Sequence, residues 1–541
     1  MEIKNSKYYI RLPLLLSIAI AGGILIGANM TAPGDSQNDV VSSVSKFREI
    51  LNHIDRNYVD EIQADDLVET AITSMLEKLD PHTVYLPAKE HEYSKSELEG
   101  NFDGIGIEFN IFRDTIYVVA PLSGGPSEAV GLLSGDKIVN VDGDIVAGIG
   151  INTRGVFDKL RGPKGSKVNI DIKRNKSKDL LNFDIVRDKI PQFSLDASYM
   201  VDDEIGYIKI NRFSATTYTE FKTALEELVD SGMTKLILDL TGNPGGYMDR
   251  AIKMADEFLA SDPMIVFTKG KEYRYNQEHR ASRDGIFESG GLIVLIDQGS
   301  ASASEIVSGA IQDNDRGLIV GRRSFGKGLV QLPMELTDGS ELRLTISRYY
   351  TPSGRSIQKS YEEGKKDYYQ DGFQERYNKG EMFSADSIAL SDSLIFQTAK
   401  GRTVYGGGGI VPDYFVALDT TQNSIYLNRL FSSGTLREYA LHFNEENNEN
   451  LKEKGFENFR KSFNVSEKML NNMIALGEKN KLEFNEKQFS HSKELIKIHV
   501  KAQIARGIWR SGGFYPIYNE TNEIFQQALQ LFDEAEQLAA K

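Results

Sequence analysis

The sequence predicts a multidomain α/β protein with helical ends, and three observations carry that prediction. Between residues 190 and 360, strand-like runs (Ile205–Ile210, Lys235–Leu240, Leu292–Ile296, Leu318–Val320) alternate with helical patterns (Thr219–Val229, Tyr247–Leu259, Glu305–Gln312). That alternation is the texture of an α/β core with at least partly parallel strands. From about 99 to 188 the texture changes to short apolar runs punctuated by glycine, a smaller separate module. On either side the apolar residues fall at helical spacing.

The whole-chain numbers bound the function. At 541 residues the chain has room for three or four hydrophobic cores. With 40% apolar and 26% charged residues it has an ordinary globular composition. A net charge of −15 argues against nucleic-acid binding as its main role. The absence of cysteine removes disulfides, thiolate metal sites and cysteine nucleophiles, and fits an extracytoplasmic protein without proving it. No motif calls for a cofactor or a metal.

At the N-terminus, Lys4, Lys7 and Arg11 precede an apolar run from Leu12 to Ala28. A positive flank before an apolar stretch is the pattern of a signal or anchor segment, here over residues 1–30. The run is just long enough to span a bilayer, and its flank should stay cytoplasmic, with the body on the far, periplasmic side. No small-x-small cleavage site follows Ala28, so an uncleaved anchor in the inner membrane is expected rather than a removed signal peptide. The polar stretch Thr31–Asp39 disfavours a buried core helix.

Residues 40–98 read as a helical region. Phe47, Ile50, Leu51, Ile54 and Tyr58 share one face of a helix, and Leu67, Ala71, Met75 and Leu79 another. The second helix should stop at Asp80, since Pro81 disfavours helix at the residue before it. In the module at 99–188, the densest pattern is Gly131-Leu132-x-x-Gly135-Asp136-x-Ile138-x-x-Val141-Asp142-Gly143. Its glycines permit tight turns, Asp136 can bond turn amides, and Leu132, Ile138 and Val141 would anchor it in a core. Upstream, Gly104, Ile105, Gly106 and Ile107 open a strand whose N–H groups can form a nest for a carboxylate. A helix at Thr153–Leu160 would be the other wall of a groove.

Residues 361–398, rich in Tyr, Lys, Glu and Asp, look like a surface insertion in a core spanning 189–418. Residues 419–541 read as a helical accessory domain, with one stripe at Leu495, Ile498, Ala502, Ala505 and Ile508 and another at Phe525, Ala528, Phe532 and Ala535. Adaptor binding or self-association through these helices is the alternative role.

The chemistry is concentrated in two loops. Leu292–Ile296 runs into a cluster of small residues, Gly299-Ser-Ala-Ser302-Ala303-Ser-Glu305, that opens a helix. A serine at a helix N-terminus sits beside free N–H groups and the positive end of the helix dipole. Ser302-x-x-Glu305 is also a capping box, so local spacing alone leaves Ser302 as a mere cap. The second loop is Gly321-x4-Gly326-Lys327-Gly328. A lysine between glycines is open to a neighbouring side chain, and lysine serves as a base when burial or dipoles depress its pKa. Lysine titrates near ~10.4, so neutrality at working pH takes roughly 3–4 kcal/mol. The loop imitates the first seven positions of a nucleotide-binding P-loop, but Gly328 stands where Ser or Thr should hold magnesium, and a strand follows where a helix should. Asp239-Leu-Thr-Gly-Asn243-Pro-Gly245-Gly246 ends another strand, and its glycine amides can point at a carbonyl oxygen.

Together these loops resemble the carboxyl-terminal processing, or tail-specific, serine proteases, and residues 99–188 resemble the PDZ domains of such bacterial enzymes. The family pairs a Ser-Ala-Ser-Ala-Ser-Glu cluster with a Phe-Gly-Lys-Gly cluster, the active lysine 25 residues after the active serine. Lys327 lies 25 positions beyond Ser302, which selects Ser302 over Ser300 and Ser304. Asp80-Pro81-His82-Thr83 and Gly406–Gly409-Ile-Val-Pro412-Asp413 extend the resemblance over about residues 45–418. It implies a crotonase- or Clp-like α/β protease core with an inserted PDZ domain, and hydrolysis through an acyl-enzyme on Ser302 with Lys327 as base. It further implies Gln331 as the group orienting Lys327, and an oxyanion hole from the amides of Ala303 and a glycine, Gly246 in preference to Gly245. Arg161 is implied to couple PDZ position to the active site. The substrates implied are envelope polypeptides with free, apolar C-termini. A non-catalytic PDZ scaffold is the alternative from another class.

Overall fold

The computed structural model describes residues 16–23 and 35–540, apart from 176, 363, 365–367, 369–371 and 390–391. The positive flank and much of the run Leu12–Ala28 lie outside the described residues, among which no helix is long and apolar enough to cross a membrane. Residues up to Lys78 form one compact unit and those from Leu79 onward another. The first contains helices α1 (Asp35–Asn57) and α2 (Ala64–Leu76). Helix α2 ends before the expected stop at Asp80.

The second unit opens with a turn that Asp80 builds: its carboxylate accepts the N–H groups of His82 and Thr83, both at 2.8 Å. Strand β1 (Val84–Leu86) and helix α3 (Ala88–Glu99) follow. Strand β2 (Asn101–Gly104) leads into the glycine-punctuated module of β3 (Ile107–Phe112), β4 (Thr115–Pro121), β5 (Lys137–Val141), α4 (Thr153–Leu160), β6 (Lys167–Lys173) and β7 (Leu181–Val186). Strand β8 (Asp188–Pro191) leaves it and pairs antiparallel with β2, so the entry and exit strands form one neck. The five strands β3 to β7 make an antiparallel sheet in chain order, with the short strand Asp144–Ile145 beside β5 and β3 at one edge. Strand β6 shows why it folds so: Val168, Ile170 and Ile172 alternate inward with period two. Leu132, Ile138 and Val141 are buried in the module core, and Asp136 accepts the Leu133 N–H at 2.8 Å as its turn requires.

The α/β core comprises β9 (Leu195–Met200), β10 (Ile205–Ile210), α5 (Thr217–Asp230), β11 (Lys235–Asp239), α6 (Met248–Asp256), β12 (Met264–Gly270), β13 (Gly291–Ile296), α7 (Ala303–Asp313), β14 (Leu318–Gly321), β15 (Leu329–Glu335) and β16 (Glu341–Tyr350). Helix α8 (Gly372–Asn378) and strand β17 (Tyr414–Phe415) come later. The main sheet has the order β9-β10-β11-β13-β14-β17 and is parallel except for β9. A second sheet joins β1, β16, β12 and β15. Every residue of β13 is buried, as a parallel strand covered on both faces should be.

One face of the main sheet is covered by α5, α6 and α7, through Phe221, Leu225, Met254 and Val307. The other is covered from the far end of the chain. Helices α9 (Ile425–Ser432), α10 (Thr435–Lys454), α11 (Phe456–Ser462), α12 (Glu467–Lys479) and α13 (Glu486–Tyr518) build a core of their own. Helices α14 (Glu523–Leu529) and α15 (Phe532–Ala540) instead seat Phe525, Ala528, Phe532 and Ala535 against Tyr207, Ile237, Ile293 and Leu295. Residues 419–541 are thus not solely an accessory domain, because the last two helices complete the α/β core.

The 361–398 segment also differs from the exposed insertion its composition suggests. Tyr368, Glu381 and Met382 are buried. Arg376 of α8 donates to the carbonyls of Arg323 and Ser324 at 2.6 and 3.1 Å. Arg376 and Arg323 both pair with Glu381, at 2.6 and 2.5 Å. Charges that pair with one another and with main chain can be buried, which composition does not reveal.

Phe532→Ala should lower unfolding free energy by about 3–4 kcal/mol in urea titrations, although it lies far in sequence from the Ser302 and Lys327 loops. An unchanged midpoint would show that α15 does not complete the core.

Candidate active site

Strand β13 ends at Ile296, and the small residues that follow bring Ser302 to the N-cap of α7. Ser302 has φ 54° and ψ −110°, a left-handed conformation rare for a residue with a side chain. It forms a capping box with Glu305. The Glu305 N–H also reaches the Ser302 carbonyl at 2.8 Å, and a hydroxyl that accepts at a cap keeps its own proton to give.

Lys327 sits in a tripeptide whose main-chain polar groups are all bonded. Gly326 N–H and Lys327 N–H donate to the two oxygens of Glu305 at 2.7 and 2.9 Å. Gly328 N–H donates to Gln358 Oε1 at 2.8 Å. The three carbonyls accept from Lys359 N–H, Tyr349 Oη and Tyr349 N–H at 3.0, 2.6 and 3.0 Å. Gly328 leads into strand β15, which rules out the helix a P-loop needs.

The two loops are joined through two side chains. Glu305, fully buried, also accepts the Ser302 N–H at 2.7 Å and the Ser324 hydroxyl at 2.5 Å, so one carboxylate holds four donors. Burial pushes its pKa up to about 7 against the pull of those donors. Tyr349 Oη reaches both the Ser302 carbonyl at 3.1 Å and the Lys327 carbonyl.

The Lys327 side chain runs into largely buried space. Its pKa is lowered, first by burial and then by Arg343, against opposing pulls from Glu305 and Asp80. Nζ donates to Gln331 Oε1 at 3.1 Å. An ammonium offers three donors, and one acceptor serves a neutral amine better. Gln331 Nε2 in turn donates to the His82 carbonyl, which the Asp80 turn places there. Among the described residues no hydrogen bond joins Lys327 Nζ to Ser302 Oγ: the structure brings their main chains together, and Gln331 to the lysine.

The Asn243–Gly246 turn packs on the serine. Asn243 carbonyl accepts from Ala301 N–H at 2.9 Å and Ser304 Oγ at 3.0 Å. Gly245 has φ 97°, and a Cβ there would lie 2.8 Å from Ser302 Cβ and 2.9 Å from Ala303 N, so a side chain has no room. The Gly245 N–H is occupied by Asn243 Oδ1 at 2.9 Å. Among the described residues the Gly246 and Ala303 N–H groups have no hydrogen-bond acceptor. Of the two glycines, Gly246 is therefore the one with an amide to offer.

The remaining sequence-predicted residues lie in the glycine-punctuated module. The carbonyls of Ile105 and Gly106 are used by Ser127 and Leu122, at 3.0 Å each, while the N–H groups of Ile105 and Gly106 are unpaired among the described residues. Gly104 ends β2 and Ile107 begins β3, the edge strand, whose Phe109 meets Phe157 of α4 edge-on at 5.9 Å. Arg161 stacks between Phe157 and Phe102 at 4.0 and 4.3 Å and donates to Ser96 of α3 at 3.1 Å. Its partners belong to the contact between α3 and the module, not to the Ser302 loop. Four residues with direct bonds at the site escaped the sequence reading: the joining role of Glu305, Tyr349, His82 as acceptor for Gln331, and Gln358. Only Glu305 had a local signal, its spacing from Ser302.

Comparison with known proteins gives four matching family models: an activating protease CtpB N-terminal domain over residues 25–90, a PDZ domain over 104–185, peptidase family S41 over 204–367, and a family of unknown function, DUF8443, over 426–510. The carboxy-terminal-processing protease of Bartonella bacilliformis is 35% identical over 345 residues, 63% of this chain and 78% of that protein. The carboxy-terminal processing protease CtpB of Bacillus subtilis is 34% identical over 337 residues, 61% of this chain and 68% of that protein. The solved photosystem II D1 C-terminal processing protease is 28% identical, covering 57% of this chain and 89% of that chain with a TM-score of 0.33.

Glu305→Gln puts an amide N–H₂ among N–H donors. It should cost about 1–3 kcal/mol in chemical denaturation, and a variant as stable as wild type would remove the joining role assigned to the carboxylate.

Proposed function

The chain belongs to the carboxy-terminal processing proteases of peptidase family S41, and from that premise we propose that Ser302 is its nucleophile and Lys327 its general base. It is a serine-type protease with a PDZ domain. The observation that carries the residue assignment is the joining of the two loops, whose main chains share the Glu305 carboxylate and the Tyr349 hydroxyl.

In the proposed reaction, neutral Lys327 Nζ takes the Ser302 hydroxyl proton as Oγ attacks the scissile carbonyl carbon. The carbonyl oxygen becomes an oxyanion facing the Ala303 and Gly246 amides, helped by the positive end of α7. Collapse breaks the C–N bond, and the lysine ammonium gives its proton to the leaving amine. Water, deprotonated by the same lysine, then hydrolyses the ester and restores Ser302. Gln331 holds the amine on line, the part an aspartate plays for histidine in other serine proteases.

We assign tail recognition to the Gly104–Ile107 segment: the unpaired Ile105 and Gly106 amides suit a terminal carboxylate, and edge strand β3 suits an added peptide strand. Envelope polypeptides with apolar C-termini are the substrates this reading favours. The run Leu12–Ala28 with its basic flank would hold the body at the membrane on the extracytoplasmic side. Arg161 would pass on PDZ position through α3, since α3, β1 and the Asp80 turn lead along the chain to the carbonyl that holds Gln331.

Ser302→Ala and Lys327→Ala should each lower kcat by about 10⁴-fold on a peptide with an apolar free C-terminus, and Gln331→Ala should retain more activity than either. Activity should rise with pH along an acid limb, because Lys327 acts as the free amine and Glu305 accepts all four donors only when ionised. Undiminished cleavage by either dyad variant would refute the assignment. Arg161→Ala should keep basal cleavage but lose most of the preference for a free over an amidated C-terminus; if that preference is unchanged, Arg161 plays no coupling part.

A further inference from the structure

We propose that Tyr368, from the 361–398 segment, is a positioning residue for the reaction: its hydroxyl ties the ring of His82, whose carbonyl orients Gln331, to the segment that carries Lys327. The proposal rests on the Ser302, Lys327 and Gln331 reading above.

Tyr368 is buried, at 4% exposure. Its Oη lies 2.9 Å from His82 Nε2, accepts from Gln358 Nε2 at 3.1 Å, and lies 3.4 Å from the Gly326 carbonyl. Each partner leads to the lysine by a separate route. The His82 carbonyl accepts from Gln331 Nε2, and Gln331 Oε1 accepts from Lys327 Nζ. Gln358 Oε1 holds the Gly328 N–H, and Gly326 directly precedes Lys327. The hydroxyl is therefore a node with one arm on the orienting side of the amine and two on its main chain.

The ring is fixed independently of the hydroxyl. It meets His82 edge-on at 5.1 Å and Phe325 at 5.7 Å, and Lys359 Nζ lies 4.0 Å from its centroid. Farther along the segment, Arg376 grips the Arg323 and Ser324 carbonyls just upstream of Lys327.

Losing the hydroxyl removes the 2.9 Å bond at His82 Nε2 and one of the two bonds of Gln358 Nε2, which keeps the Lys359 carbonyl at 2.8 Å. Either water enters or His82 shifts, and both consequences reach Gln331. Water beside Nζ solvates the ammonium and raises its proton affinity. The charged and titratable groups around the amine are Glu305 on α7, Arg343 on β16, and Asp80 and His82 on the opening turn. Lys359 faces Tyr368 through the ring, which phenylalanine keeps.

The test is Tyr368→Phe in the full chain, assayed on a tail-bearing peptide across pH beside wild type, Gln331→Ala, the double variant and Ser302→Ala. At neutral pH kcat should fall about tenfold with KM within about twofold. The loss should shrink as pH rises, because the acid limb moves upward. In the Gln331→Ala background the same change should cost less than about twofold more. Tyr377→Ala, an exposed residue of the same segment, should match wild type. A loss equal at every pH, or one that multiplies fully with Gln331→Ala, would make Tyr368 a structural prop and overturn the proposal, as would wild-type kinetics. If Ser302→Ala cleaves like wild type, the nucleophile assignment fails instead, whatever Tyr368→Phe does.

Discussion

A single buried carboxylate holds this site together. Glu305 accepts the main-chain N–H groups of Ser302, Gly326 and Lys327 and the hydroxyl of Ser324. Because these donors come from two loops more than twenty residues apart in sequence, the carboxylate fixes where the Lys327 loop lies relative to the Ser302 loop. Burying a carboxylate is costly, and four donors offset the cost only while it stays ionised. Burial outweighs the donors, and the Glu305 pKa is pushed up to about 7.

The same economy runs through the surroundings of Lys327. Its main chain is fully bonded, so the loop holds still, while among the described residues its side chain has one acceptor, so the amine is poorly served as a cation. Motifs that look unrelated in sequence meet here. Asp80 shapes the turn that presents the His82 carbonyl to Gln331. Near the other end, the Ile410 N–H donates to Ser324 Oγ at 2.6 Å, and the Ser324 N–H donates to the Ile410 carbonyl at 3.0 Å. The Gly-rich motif before Asp413 thereby backs the loop that carries the lysine.

How much of this was legible in the sequence depends on the range over which each signal acts. The four parallel strands β10, β11, β13 and β14 and the module's anchors Leu132, Ile138 and Val141 follow from local periodicity, and the structure has them. Ser302 and Lys327 stood out as candidates by residue type, and the family resemblance, not local spacing, chose Ser302 among its neighbours. What escaped involves partners distant along the chain. Phe525 and Phe532 were read as an accessory stripe because nothing local says which sheet face they cover. Tyr368 and Arg376 sat in a segment whose charges suggested solvent, whereas those charges meet Glu381 and main-chain carbonyls. Glu305 was half legible: the spacing that made it a cap for Ser302 is the spacing that lets it reach the other loop.

The central claim is that Lys327 is an uncharged amine at working pH because the protein gives its cation too little solvation. Carbon-13 labelling of lysine Cε, with the Lys327 signal assigned by its absence in Lys327→Arg, reports that protonation directly during a pH titration of the intact protein. The account predicts that this signal titrates well below the exposed lysines, which cluster near ~10.4. A Lys327 signal moving together with the exposed lysines would contradict it, since the side chain would then be a cation throughout the working range and no base for Ser302.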